Sequence, residues 1–161
     1  MASLSWGVCK IWIGKLGADG SAPTSWVAVP TPVEGSTQLT TSKGDKQEAK
    51  VEGGENEAVK YKKNTYTLEF EIRAAKGRSK IAEDDDGVID GEYALILQPE
   101  DETVEGIKID RGTLSMEPTY SSEEGTKWKY TIDALIPATG NTVKFEVVTA
   151  PTGTVTSADP E

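Results

Sequence analysis

From Thr65 to Ala74 the chain alternates without a slip: Tyr66, Leu68, Phe70, Ile72 and Ala74 fall on one parity, Thr65, Thr67, Glu69, Glu71 and Arg73 on the other. A strict period of two is a strand signature, because helix faces recur every ~3.6 residues, and it means one buried and one wet sheet face. A second run repeats the pattern: Trp128, Tyr130, Ile132, Ala134 and Ile136 alternate with Lys127, Lys129, Thr131 and Asp133. Ala138 to Asn141 then reads as a turn into Val143, Phe145 and Val147, which predicts a hairpin between these two strands.

The rest of the chain reads as more short strands. Residues Leu4 to Leu16 carry Trp6, Val8, Ile11, Trp12 and Ile13 with no helix start, and predict one strand, or a strand with a bulge where the alternation slips near Cys9. Trp26, Val27 and Val29 make a short segment closed by Pro30-Thr31-Pro32, at an edge or strand end because proline cannot donate to a ladder. Thr37 to Ser42 is a Thr-rich strand. Tyr93 to Leu97 (YALIL) is a continuous apolar run covered on both faces. Val104 to Asp110 and Thr113 to Glu117 read as two strands joined by a tight turn at Arg111-Gly112, while Ala75 to Glu83 has room for a helix of a turn or two. Eight or nine strands with at most one short helix make an all-β fold, an antiparallel β-sandwich or barrel. The 161 residues suffice for one domain with a real core, expected over 1–150, and the Thr-, Ser- and Pro-rich residues 151–161 predict a flexible C-terminal tail.

Composition narrows function by exclusion. The chain has no histidine, which removes Ser-His-Asp and Cys-His catalysis, imidazole metal ligation and the usual neutral-pH proton shuttle. Cys9 is the single cysteine, so no intrachain disulfide framework or multi-cysteine zinc site exists, and a small core residue is its simplest role. A net charge of −10 opposes binding to nucleic acid or an anionic membrane. The start, MASLSWGVCKIWIG, has no basic leader, and no run reaches the roughly 20 apolar residues of a membrane span, which predicts a protein made in the cytoplasm.

Specific chemistries fare poorly. The acidic run Glu83 to Asp90 invites a calcium reading, but setting Gly87 at the loop glycine puts Ala82 and Tyr93 where carboxylate ligands belong, so a solvated acidic loop is the better account. Among 27 acidic residues nothing singles out a glycosidase pair, and Val51 to Lys60 lacks the Gly-Lys-Ser/Thr ending of a phosphate loop. Trp6, Trp12, Trp26 and Trp128 are sugar-platform candidates, yet each sits in an apolar stretch that suits core or interface better. No catalytic residue, cofactor or metal ligand is singled out, and an enzyme is not expected.

One segment resists a place in any core. Residues 43–64 begin with Lys46, Glu48, Lys50 and Glu52 alternating with Gln47, Ala49 and Val51, so neither face buries enough apolar surface to offset the roughly 1–2 kcal/mol per residue of ordering entropy. Gly53-Gly54 supplies a turn, and Glu55 to Lys62, including Tyr61, carries both charge signs. The segment predicts a long extended hairpin arm, able to add edge-strand hydrogen bonds to a neighbouring copy. A solvated hairpin without a role is the competing reading.

The arm with EGGE at Glu52 to Glu55, running through Tyr61 and Lys62 into TYTLEFEIR, resembles the tail tube (major tail) proteins of long-tailed bacteriophages and prophages over Val33 to Lys76, and is similar in plan to the type VI secretion tube protein. The resemblance implies a structural subunit that forms hexameric rings, stacked into a hollow tube through which the genome passes without specific binding. It implies homo-oligomer contacts, other tail proteins as partners, no membrane, and a place in the virion tail after assembly in the bacterial cytoplasm. The bridging role would fall to the arm, with Lys46, Glu48, Lys50, Glu52, Gly53, Gly54, Glu55 and Tyr61 at the contact, and Glu48, Glu52, Glu69 and Glu71 would be candidates for an acidic lumen. The rivals are a sandwich-type binding module for carbohydrate or a surface protein, and another tail or capsid-decoration protein.

Overall fold

A computed structural model describes residues 3–158. Within it there are eleven strands and no helix. In chain order they are β1 (Lys10–Lys15), β2 (Ser25–Ala28), β3 (Gln38–Ser42), β4 (Lys46–Lys50), β5 (Asn56–Tyr61), β6 (Thr65–Arg73), β7 (Val88–Gln98), β8 (Gly106–Ser121), β9 (Gly125–Ala134), β10 (Val143–Glu146) and β11 (Thr154–Ser157). Nine form one sheet in the order β11-β2-β1-β7-β8-β9-β6-β3, with β10 added to β8; β4 and β5 form a sheet of their own. The fold is all-β, as the alternation predicts.

The long strand β8 organises the body. β7 pairs along one side of it from Ile107 to Ser115; on the other side β10 pairs with Gly106 to Ile109 and β9 with Gly112 to Ser121. The strand therefore belongs to two half-sheets, β11-β2-β1-β7-β8-β10 and β8-β9-β6-β3, which curve around shared inward side chains. One core cluster takes Ile11, Ile13, Leu95 and Ile109 from the first half and Leu68, Phe70, Tyr130 and Ile132 from the second. Phe70 and Tyr130 stack at 5.7 Å between ring centroids, and the Tyr130 hydroxyl accepts the Ile81 N–H at 3.2 Å. Register shifts in β7 between Val88 and Glu92 and between Tyr93 and Leu95 are bulges of the kind that curve a sheet.

The YALIL run is covered twice, as its unbroken apolarity predicts. Leu95 and Leu97 face the main core, while Ala94 and Ile96 join Trp12, Trp26 and Val148 in a second cluster on the opposite face.

Five expectations are corrected. Arg111-Gly112 is not a turn, because β8 runs straight through it; Gly112 is instead where Ile132 packs down, its Cγ1 2.8 Å from where a β-carbon would lie. Val143 to Glu146 makes no hairpin with β9 but pairs with β8, where the N-terminal half has a vacant edge below β9. Residues 75–83 hold turns rather than a helix: Gly77 takes φ +84, and Ile81 drops into the core. The expected loose tail contains β11, which runs parallel to β2 from Thr154 beside Ser25 to Ser157 beside Ala28, making the sheet mixed rather than purely antiparallel. Ala158 is 4% exposed and is bonded through both N–H and C=O, to Ala28 and Ser79, so the chain after 150 belongs to the domain as far as 158. Residues 159–161 of that predicted tail lie outside the described residues. Leu4 to Val8 also stay outside β1.

Candidate functional site: the projecting arm

The hairpin of β4 and β5 is built by local chemistry at its two ends. At the base, Lys62 N–H donates to the Asp45 carbonyl at 2.8 Å and Gly44 N–H to Asn64 Oδ1 at 3.0 Å. The strands approach so closely there that a β-carbon on Gly44 would lie 2.0 Å from the Lys62 carbonyl oxygen. At the tip, Val51 N–H donates to Glu55 O at 2.9 Å and Gly54 N–H to Val51 O at 3.1 Å, closing a turn in which Gly53 and Gly54 take φ of +98 and +88. Only glycine adopts such angles at low cost. Between the ends the register runs from Lys46 opposite Tyr61 to Lys50 opposite Asn56, with a bulge between Ala49 and Lys50.

Every residue of β4 and β5 is exposed. Among the described residues both outer edges are unpaired. A two-stranded hairpin is marginal in water by itself, and this one has little apolar surface: Val59 and Tyr61 share one face with Lys46 and Glu48. Glu48 is clamped between two lysines, at 2.6 Å from Lys46 and 3.6 Å from Lys50. The hydrogen bond from Lys46 holds the Glu48 carboxyl below the usual glutamate range and lifts the Lys46 ammonium above the usual lysine range. Lys43 Nζ lies 5.3 Å from the Tyr61 ring centroid, a cation–π contact. All eight arm positions singled out from the sequence thus lie on the hairpin or its turn.

The four acidic candidates do not form one surface. Glu48 and Glu52 sit on the arm, whereas Glu69 and Glu71 lie on the outer face of β6, directly opposite Thr131 and Lys129 of β9 and diagonal to the lysines they pair with. Lys129 Nζ is 3.3 Å from Glu69 and Lys127 Nζ 3.9 Å from Glu71. That outer face carries mixed charge.

The tryptophans divide. Trp12 and Trp26 are buried and Trp128 is half-buried, but Trp6 is 75% exposed. A groove of about 480 Å³ lies against Trp26, Ala94 and Ile96 under residues 146–152. Trp26 is too buried there to offer a stacking face. Burial raises the Cys9 thiol pKa, which keeps it protonated and unreactive at neutral pH. In the acidic loop, the Asp84 carboxylate accepts the Gly87 N–H at 2.8 Å and pairs with Lys80 at 3.4 Å, a self-contained turn.

Sequence reasoning missed one feature, an uncovered strip beside β10. Phe145 and Val147 are more than half exposed, on the parity of the buried Val143, and among the described residues the outer edge of β10 is unpaired. Their alternation was legible; that nothing lies over them depends on β10 pairing with β8. The outer edge of β3 is open as well. No helix among the described residues is long and apolar enough to cross a membrane. Compared with known proteins, the chain matches no family model and no curated sequence.

Proposed function

We propose that this protein is a self-assembling structural subunit of a bacteriophage or prophage tail tube, forming rings, expected to be hexameric, that stack into a conduit for DNA. The carrying observation is the arm: eleven strand residues, all exposed, form a two-stranded sheet that no other described strand completes. A ribbon of this kind gains its stability from a neighbour that pairs with its edges. The open edges of β3 and β10 and the exposed Phe145 and Val147 supply further surface for a repeated contact between copies. A heterologous contact that closes by rotation protects such edges from unlimited aggregation.

A net charge of −10 suits a wall past which DNA slides, since phosphate binding requires lysine and arginine to neutralise it. The mixed charge around Glu69 and Glu71 makes a general acidic field, rather than those two side chains, the source of that repulsion. The binding-module alternative loses support from the burial of Trp12 and Trp26.

The test is negative-stain electron microscopy of the concentrated protein with and without residues 47–61. Rings or tubes from the intact chain and dispersed particles from the deletion are expected. A monomer at every concentration, or a deletion that assembles as well as the intact chain, would refute the proposal.

A further inference from the structure

The arm is an electric dipole. Its base holds Lys43, Lys46, Lys60, Lys62 and Lys63 against Asp45, a net charge of +4; its outer half holds Glu48, Glu52, Glu55 and Glu57 against Lys50, a net charge of −3. The remainder of the chain has 11 basic and 22 acidic residues, so the base of the arm is a positive patch on a strongly acidic protein. The ion pairs within the arm all involve Glu48; among the described residues Glu52, Glu55, Glu57, Lys60, Lys62 and Lys63 make none. At about 3.3 Å per strand residue, the two ends of the arm, Lys62 and Lys63 at the base and Glu52 and Glu55 at the tip, lie roughly 20 Å apart, while Lys46 and Glu48 pair where the two halves meet. That exceeds the Debye length of about 8 Å at physiological salt, so the unpaired charges at the two ends act on their surroundings separately, and the Lys46–Glu48 pair at the boundary is neutralised within the arm.

We infer that the acidic tip of one arm docks on the basic base of the arm of a second copy, so that the arms link head to tail. The inference rests on the reading of the arm as the contact between copies and names its partner surface. Side-by-side parallel packing would place tip on tip and base on base, which like charge opposes. Tip-to-base contact satisfies both patches and makes assembly weaken as salt rises.

Two charge-reversed full-length proteins test it. Glu52→Lys, Glu55→Lys and Glu57→Lys make tip and base both positive; Lys60→Glu, Lys62→Glu and Lys63→Glu make both negative. Every substituted side chain is exposed, so the body fold is not at risk. Each protein alone should need at least about tenfold higher concentration to assemble in sedimentation velocity, and the equimolar mixture should return to within about threefold of the unmodified protein, because each tip then meets an opposite base. Normal assembly of either protein alone, or no rescue in the mixture, overturns the tip-to-base contact. If that happens while deletion of residues 47–61 still blocks assembly, the arm remains the interface and only its partner surface is wrong. If the deletion assembles normally, the arm reading itself fails.

Discussion

Gly44 sits at the base of the arm against the Lys62 carbonyl, and its missing side chain is what lets the arm close there. Gly44→Ala would set a β-carbon against the Lys62 carbonyl, and backbone at that point has no flexible end to move aside. We expect it to disturb the amide resonances of residues 45–62 and weaken assembly while leaving the thermal midpoint of the body within about 2 °C, since the cost falls on a hairpin outside the core. A fall of many degrees would mean that arm and body fold as one unit. Tyr130 acts at the opposite extreme: its ring stacks on Phe70 and its hydroxyl satisfies the Ile81 N–H in the core. Tyr130→Phe keeps the ring and orphans that donor, for an expected loss of about 1–3 kcal/mol in urea unfolding. Phe70→Ala, which empties a fully buried site, should cost about 3–5 kcal/mol. Equal effects from the two substitutions would show that the hydroxyl contributes more than its hydrogen bond explains.

Among the elements, the arm and β11 differ in how they are held. The Glu48 clamp keeps the two lysines of β4 in place across neutral pH. Because the folded Glu48 value is lowered, its contribution is present above the unfolded glutamate range and vanishes as pH falls through the lowered value; the raised Lys46 contributes below the unfolded lysine range and loses its effect only as pH rises through its raised value. An NMR titration should therefore show Lys46 and Tyr61 signals steady at neutral pH and moving together in acid, and Glu48→Gln should abolish that transition. Signals unchanged on acidification would contradict the clamp. β11, by contrast, is tied into the body through β2, Ala28 and Ser79. Ending the chain after Ala150 strips the β2 edge of these bonds and should lower unfolding stability by about 2 kcal/mol or more; no loss would return the segment to the loose tail that its composition suggests. The elements that were legible in sequence are those whose pattern is local: Thr65 to Arg73 and Tyr93 to Leu97 declare their burial by parity and by length, and the arm declares its exposure by lacking both. What escaped was long-range. Nothing in TVTS announces that it will lie beside Ser25 to Ala28, and Arg111-Gly112 looks like a turn until Ile132 is seen filling the space above it.

At the scale of the whole molecule, a core drawn from two half-sheets stabilises the body, and a polar ribbon stands apart from it. That division underlies the proposed function. On the proposed reading, a protomer with a completed interior and an uncompleted ribbon finishes folding on a second copy, with the entropy of ordering the ribbon offset by contacts across the interface. Hydrogen–deuterium exchange at residues 46–61, compared between dilute protomer and assembled material, measures this step directly. The account predicts rapid exchange at the outer edges of both strands in the protomer and at least about tenfold slower exchange after assembly, with the Leu68, Phe70 and Ile132 amides slow in both. Equal protection of the arm in the two states would contradict it.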